Sequence, residues 1–347
     1  ELFADKRLLK LLGRDAAGLQ WPGEMLRFRV GSGDPPDFRE RRGATRQSRL
    51  DGWQPVFLSE WQDREIEYRQ TAFAALLDGP MTPPEARRGD EDVVVLMRFS
   101  IRNATHGRKR ARLSIVDAPQ ESLVLQGGLV LAEGRVVPAE PVKRQWKVEP
   151  YPALCLRYAA TPGRGRLTAV PYADDASASS ATLTAVAYDV DLEGGQVDTL
   201  TLAFPFVSLT EEEDWQRVAA LDYEARLADV SAYWREYVLA RGQMDLPDQV
   251  LSDFHRAVRT HVAISVDKDP VSGMTVVPAA TWAYGACGNE ACWQITMLDQ
   301  AGHHDRAREY LETFLRTQGA RPLDGNFSSA EGVLQAVVLD GGEILQG

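Results

Sequence analysis

The feature that most constrains this chain is a change of period at Thr210. Before it, apolar residues recur at every second position in short runs; after it they recur at every third or fourth. Alternation by two is the mark of a strand with one buried face, and spacing by threes and fours is the mark of an amphipathic helix. The chain changes from one pattern to the other once. A parallel α/β fold would interleave them, so the expected architecture is an all-β part followed by an all-α part.

In the first part, from about Leu19 to Phe206, turn residues separate the β-type runs. VVVLMRFSIRNAT carries apolar residues at Val93, Val95, Met97, Phe99 and Ile101, and ARLSIV (111–116) follows the polar HGRKR. The two read as a hairpin with one buried face. SLVLQG, GGLVLAEG, ALCLRYAA, ATLTAVAYDVDL and DTLTLAFPFVSL supply further strands. With no helical pattern between them, antiparallel sheets stacked as a sandwich are expected.

In the second part, Thr210 and Glu213 fit a capping box at the start of a long helix that stops at Gly242. A second helix starts near Pro247 and presents Leu251, Phe254, Val258, Val262 and Ser265 on one face. A third runs from about Asn289 to Ala301 and stops at Gly302. A fourth covers Asp305 to Thr317, burying Ala307, Tyr310, Leu311 and Phe314. A fifth opens near Ser329 and carries Val333, Leu334, Val337 and Val338. The expected organisation is a β-sandwich over residues 1–208, a linker helix over 209–243 and a helical domain over 244–347. The chain opens on Glu1 rather than Met and stops inside an apolar helical stretch at Gly347, which predicts a piece of a longer protein.

Composition removes several classes of function. A net charge of −11 argues against nucleic acid, whose phosphates demand concentrated Lys and Arg. The basic stretch RERRGATRQSR (39–49) reads as a solvated loop. No apolar run reaches the ~18 residues that span a bilayer, so no membrane partner is expected. Cys155, Cys287 and Cys292 form no disulfide framework. A GxSxG elbow, a P-loop and a dinucleotide fingerprint are absent, and no cofactor is expected.

Two loops hold the candidate chemistry. In YGACGNEACW (284–293), two aromatics and two cysteines surround Asn289-Glu290 at a helix start. A metal site there, drawing on Cys287, Cys292, Glu290 and His303, lacks the paired spacing of zinc sites and has no second half elsewhere; no metal is expected. A helix N-terminus stabilises an ionised carboxylate by ~0.3–1 kcal/mol. That suits a base, a nucleophile or a structural acid, whereas a general acid needs an apolar wall to raise its pKa. Trp282, Tyr284 and Trp293 are of the type to build one. The residues alone leave a structural and a catalytic Glu290 both open. The second loop, PLDGNFSSAEGV (322–333), places Asp324 in an Asp-Gly-Asn turn and Glu331 at a helix entrance. Two carboxylates facing one cleft suit glycosidic cleavage, one protonating the leaving oxygen and the other activating water or attacking. Glu60 and Asp63, in the aromatic and acidic stretch 53–74, are further candidates, although alternating strand residues with one polar face account for them.

This organisation resembles the six-hairpin glycosidase superfamily. The resemblance lies in a large β-sandwich, a tryptophan-bearing linker, a proline-started helix in MDLPDQVLSDFHRAVRTHVAIS, and the succession YGACGNEACWQITMLDQAGHHDRAREYLETFLRTQGARPLDGNFSS. It implies an N-terminal super-sandwich and the first hairpins of an incomplete (α/α)6 barrel. It also implies a carbohydrate-active enzyme hydrolysing a glycosidic bond in an oligosaccharide or glycoside. Glu290 then stands where such enzymes carry a general acid, with Asp324 as a candidate second carboxylate unless the partner lies on a later hairpin. Trp282, Tyr284, Asn289 and Trp293 would contact sugar. A glycoside phosphorylase and a non-catalytic glycan-binding or scaffold protein of the same architecture are the alternatives.

Overall fold

The structure, a computed structural model, describes residues 25–32, 45–89, 91–118, 124–126, 129–134, 154–172, 183–205, 212–244, 246–268, 273–277, 288–319, 329 and 331–332. Its first half consists of strands β1 (Met25–Ser32), β2 (Thr45–Arg49), β3 (Phe57–Asp63), β4 (Ile66–Leu76), β5 (Val93–Asn103), β6 (Lys109–Ala118), β7 (Val124–Gln126), β8 (Leu129–Gly134), β9 (Leu154–Pro162), β10 (Arg166–Tyr172), β11 (Leu183–Leu192) and β12 (Val197–Pro205). They form an eight-stranded sheet in the order β2-β3-β4-β5-β12-β9-β8-β7 and a four-stranded sheet in the order β1-β6-β11-β10. The pairings are antiparallel throughout. The core between the sheets contains Ile66, Tyr68, Phe99, Ile101, Leu200 and Leu202 from the large sheet and Leu113, Ile115, Val186, Tyr188 and Val190 from the small one. Each fully buried side chain of this size is worth about 1.5–3 kcal/mol of transfer free energy.

The hairpin expected from 93–116 does not form. β5 pairs with β4 and β12, whereas β6 pairs with β1 and β11 in the other sheet. The chain crosses the core between them, and crosses again at β9–β10 and β11–β12. Alternation had specified one buried face on each strand; burying those faces against each other puts the strands in opposite sheets. The crossings are fastened by buried polar groups. Asn103 Nδ2 donates to the carbonyls of Gly107 (2.6 Å) and Leu192 (2.9 Å), joining two crossings. Asp198 accepts from the N–H of Arg164 (2.9 Å) and Gly165 (3.2 Å) and from the Tyr188 hydroxyl. A Cβ at Gly163 would strike the Asp198 carboxylate, so the turn approaches it closely only as glycine.

β5 also departs from a one-faced strand. Phe99 and Ile101 face the small sheet, but Val94 and Leu96 are equally buried on the opposite face. The uninterrupted apolar run VVVLM is the signature of a strand covered on both sides. The cover is helical. The single linker helix expected over 209–243 is two helices, α1 (Glu212–Ala219) and α2 (Tyr223–Leu239). Asp222 breaks them apart because its carboxylate caps α2, accepting from the N–H of Glu224 and Ala225. Trp215, Val218, Tyr223, Val230, Trp234 and Val238 pack with Phe73, Ala75, Val94, Leu96 and Ala203 of the large sheet. Arg98 reaches from the sheet over the Tyr223 ring at 3.7 Å and pairs with Glu224.

Helices α3 (Gln249–Ser265), α4 (Gly288–Gln300) and α5 (His304–Thr317) follow, with a two-stranded ladder of β13 (Asp267–Lys268) and β14 (Thr275–Val276) between α3 and α4. α3 buries only part of the expected face: Val262 is inside and Val258 and Ser265 are half-buried. Ser252, Ala257, Thr260 and Ala263 are inside, whereas Leu251 and Phe254 (67% exposed) are outside. Leu311 of α5 is likewise exposed rather than buried. α4 ends at Gly302 as the sequence indicates. Gly302 has φ 81°, with His303 N–H bonded to Leu298 O and Gly302 N–H to Asp299 O, a Schellman stop. Of the helix expected to open near Ser329, only Ser329, Glu331 and Gly332 are among the described residues, the last two in a turn with Gly332 at φ 74°. Val333, Leu334, Val337 and Val338, like the cap at Thr210, lie outside the described residues. No helix among the described residues is long and apolar enough to cross a membrane.

The junction of α2, α3 and α5 is cationic and buried. Arg259 of α3, 1% exposed, donates to the carbonyls of Arg241 (2.7 Å) and Gly242 (3.2 Å). Its guanidinium also lies 3.2 Å from His303 Nε2, and the His303 ring stacks on Tyr237 at 4.8 Å. Arg259 can only donate, so His303 is neutral with Nε2 accepting. Burial, then Arg259, Arg241, Arg306 and His304, hold the imidazole below its ordinary 6.5, at about 4.

Two outcomes are expected. Asp198→Ala leaves the N–H groups of Arg164 and Gly165 and the Tyr188 hydroxyl without their acceptor, costing about 1–3 kcal/mol in urea unfolding. For His303, the unfolded chain takes up a proton below pH 6.5 that the folded chain refuses until about pH 4. Its contribution is therefore complete above pH 6.5 and is lost as pH falls toward 4, with a slope of at most about 1.4 kcal/mol per unit. His303→Gln should flatten that part of the stability profile.

Candidate functional site

The site is best approached from the hairpin that carries Glu290. α4 and α5 are joined by three residues, Ala301 to His303, and share one apolar cluster of Ala291, Ile295, Leu298, Ala307 and Tyr310, with Phe314 packed beside it. So short a link makes them antiparallel. The N-terminus of α4 and the C-terminus of α5 therefore lie at the same end of the hairpin. The chain enters α4 at that end from β14 and Val277, and leaves α5 there into residues 319–332. It also returns: Gln318 Nε2 donates to Gly332 O at 2.6 Å. Gly332 thus lies beside the C-terminus of α5.

In the first turns of α4, Ala291 and Ile295 face the cluster, and Asn289, Glu290 and Trp293 face out together. Trp293, three residues after Glu290 and hence on the same side of the helix, is 78% exposed. An indole so placed is an open apolar platform next to a carboxylate. Cys292 is also exposed. Trp282, Tyr284, Cys287 and Asp324 lie outside the described residues.

His303 cannot join Glu290 in a metal site. It is thirteen residues along the chain, about 20 Å at the helical rise, and it is buried against Tyr237 and Arg259. Among the described residues no group of three or more His, Cys, Asp or Glu side chains is arranged to hold a metal ion. Glu60 pairs with Arg69 on the neighbouring strand at 3.9 Å, and Asp63 is buried where β3 turns into β4. The Glu331 backbone N–H donates to the Ser329 hydroxyl oxygen, within the turn ending at Gly332.

Thr275, Val277 and Glu309 went unnoticed in the sequence. Val277, fully buried, sits in the same cluster as Ala291, one residue from Glu290. Thr275, two residues earlier, is gripped by α5: its hydroxyl donates to Glu309 Oε1, and its carbonyl accepts from Thr313 Oγ1 at 2.6 Å. The partners are 34 and 38 residues apart, and no local pattern marks such a pair.

No family model matches the chain, and no curated protein does. Among solved structures, it is similar to a family GH92 α-mannosidase from Bacteroides thetaiotaomicron, at 12% identity and a TM-score of 0.40 over 71% of this chain and 33% of that one. It is also similar to a human-microbiome protein assigned as a kojibiose phosphorylase, at 9% identity and a TM-score of 0.43 over 85% of this chain and 39% of that one. A GH92 glycosyl hydrolase aligns at 12% identity and a TM-score of 0.28. The chain spans about a third of the length of these structures.

Because their side chains meet solvent, Glu290→Gln and Trp293→Ala should each shift folding stability by no more than about 0.5 kcal/mol. Thermal melts of the two variants check this, and any loss of function in them is then a loss at the site.

Proposed function

We propose that this chain forms part of a carbohydrate-active enzyme that hydrolyses a glycosidic bond. Glu290 is the carboxylic acid that protonates the leaving oxygen. Asp324 is the second carboxylate. Trp293, with Trp282 and Tyr284, stacks on sugar rings, and Asn289 hydrogen-bonds a hydroxyl. The observation that carries the reading is the shared outward face of Glu290 and Trp293, at the end of the hairpin where the chain leaves α5 and Gly332 lies against Gln318. Sugar C–H faces pack on aromatic faces, and a few polar groups beside them fix orientation. Sugar distortion and hydrogen bonds would add to the pair of carboxylates.

Phosphorolysis uses the same general acid, with phosphate in place of attacking water. One experiment separates these readings. The full natural polypeptide containing these residues is assayed on aryl glycosides and oligosaccharides, with and without inorganic phosphate. Hydrolysis without phosphate, together with a fall of about 100-fold or more in Glu290→Gln at retained sugar binding, is expected. Turnover only with phosphate replaces hydrolysis by phosphorolysis. Full activity in Glu290→Gln removes the acid assignment, and sugar binding without turnover under any condition identifies a binding module.

A further inference from the structure

We propose that Thr275, held by Glu309 and Thr313, is a positioning residue for Glu290. The inference rests on the reading of Glu290 as the acid. A carboxylate on the open first turn of a helix is only as well placed as that turn, and the first N–H groups of a helix have no partners within it. Something outside α4 must fix its start. The candidate is the short stretch Thr275–Val277. Val277 is buried in the same apolar cluster as Ala291 and Ile295, the inward-facing residues of α4's first turns, whereas Glu290 is exposed. Thr275 and Thr313 are both buried, at 4% and 3% exposure. The Thr275 hydroxyl and carbonyl are engaged by two side chains one helical turn apart on α5. These two bonds hold Thr275 in register on α5, and with it Val277 in the cluster it shares with α4.

The anchor extends to the sandwich. Arg306, three residues before Glu309, pairs with the Glu309 carboxylate and also with Glu85, which lies in the loop between β4 and β5. Beside Glu85, Arg87 donates to the Tyr233 hydroxyl of α2 at 2.6 Å. In that loop, a Cβ at Gly89 would strike the carbonyl of Lys268 in β13. The path from Glu85 through Arg306, Glu309, Thr275 and Val277 to Ala291 thus ties the position of Glu290 to the β half of the molecule. It gives the sandwich a part in the site without contributing a side chain to it.

Hydrogen exchange tests this in the intact protein. Thr275→Val keeps the shape and removes the hydroxyl, leaving the Glu309 carboxylate short of a donor; Thr275→Ser restores the donor. The expected result is exchange about tenfold faster over Gly288–Leu298 in Thr275→Val, with β5 and β12 unchanged and Thr275→Ser at the wild-type rate. On a substrate found by the assay above, kcat falls in Thr275→Val and recovers in Thr275→Ser, with KM little changed. Unchanged exchange over Gly288–Leu298, loosening shared equally by the sandwich strands, or failure of Thr275→Ser to restore protection overturns the proposal. The two readings fail separately. An active Glu290→Gln removes the acid, while the exchange pattern decides the anchor by itself.

Discussion

The architecture depends on an antiparallel sheet that is covered on both faces. In β4, β5 and β12 one set of side chains meets the four-stranded sheet, and another set, from Phe73, Ala75, Val94, Leu96 and Ala203, meets α1 and α2. Burial on two sides leaves these strands little freedom of register, since a slip by one residue would exchange both faces at once. The helices laid on that sheet inherit its fixed position. α2 rests on it directly, and α3 packs against the same layer through small residues.

From this base the hairpin of α4 and α5 is reached by polar contacts as much as by apolar ones. Arg259 satisfies the carbonyls at the end of α2 and touches His303 at the start of α5, while Arg306 pairs with Glu85 on the sandwich side. Buried or half-buried guanidinium groups are effective at such junctions because their several donors can serve more than one element. The outward face of α4 is then left to Asn289, Glu290 and Trp293. Packing at the back of this helix and open chemistry at its front are two consequences of one placement.

The candidate site was legible in part. An acid after Asn289 at a helix start, flanked by aromatics, is visible in the sequence because capping and composition are local. The side on which Glu290 emerges followed only once Ala291 and Ile295 were seen to be buried. The anchor at Thr275 had no sequence signal, since a threonine and a glutamate 34 residues apart meet only through the tertiary fold. Leu251 and Phe254 show the reverse case, in which spacing by threes correctly indicated a helix but the first turns of its apolar face are exposed, while Val262 further along is buried. Spacing reports that residues share a side, not that a neighbour covers it.

By itself, then, the sequence determined the order of β part and α part, the places of most strands, and the stop of α4 at Gly302. These follow from side-chain periodicity and from the φ preferences of single residues, which act over a few positions. Tertiary structure alone decided that β5 and β6 lie in opposite sheets, that the linker breaks at Asp222, that α3 buries its small residues, and that Thr275 holds the ground behind Glu290. Each of these depends on which distant surface arrives to be covered, and periodicity carries no record of the partner.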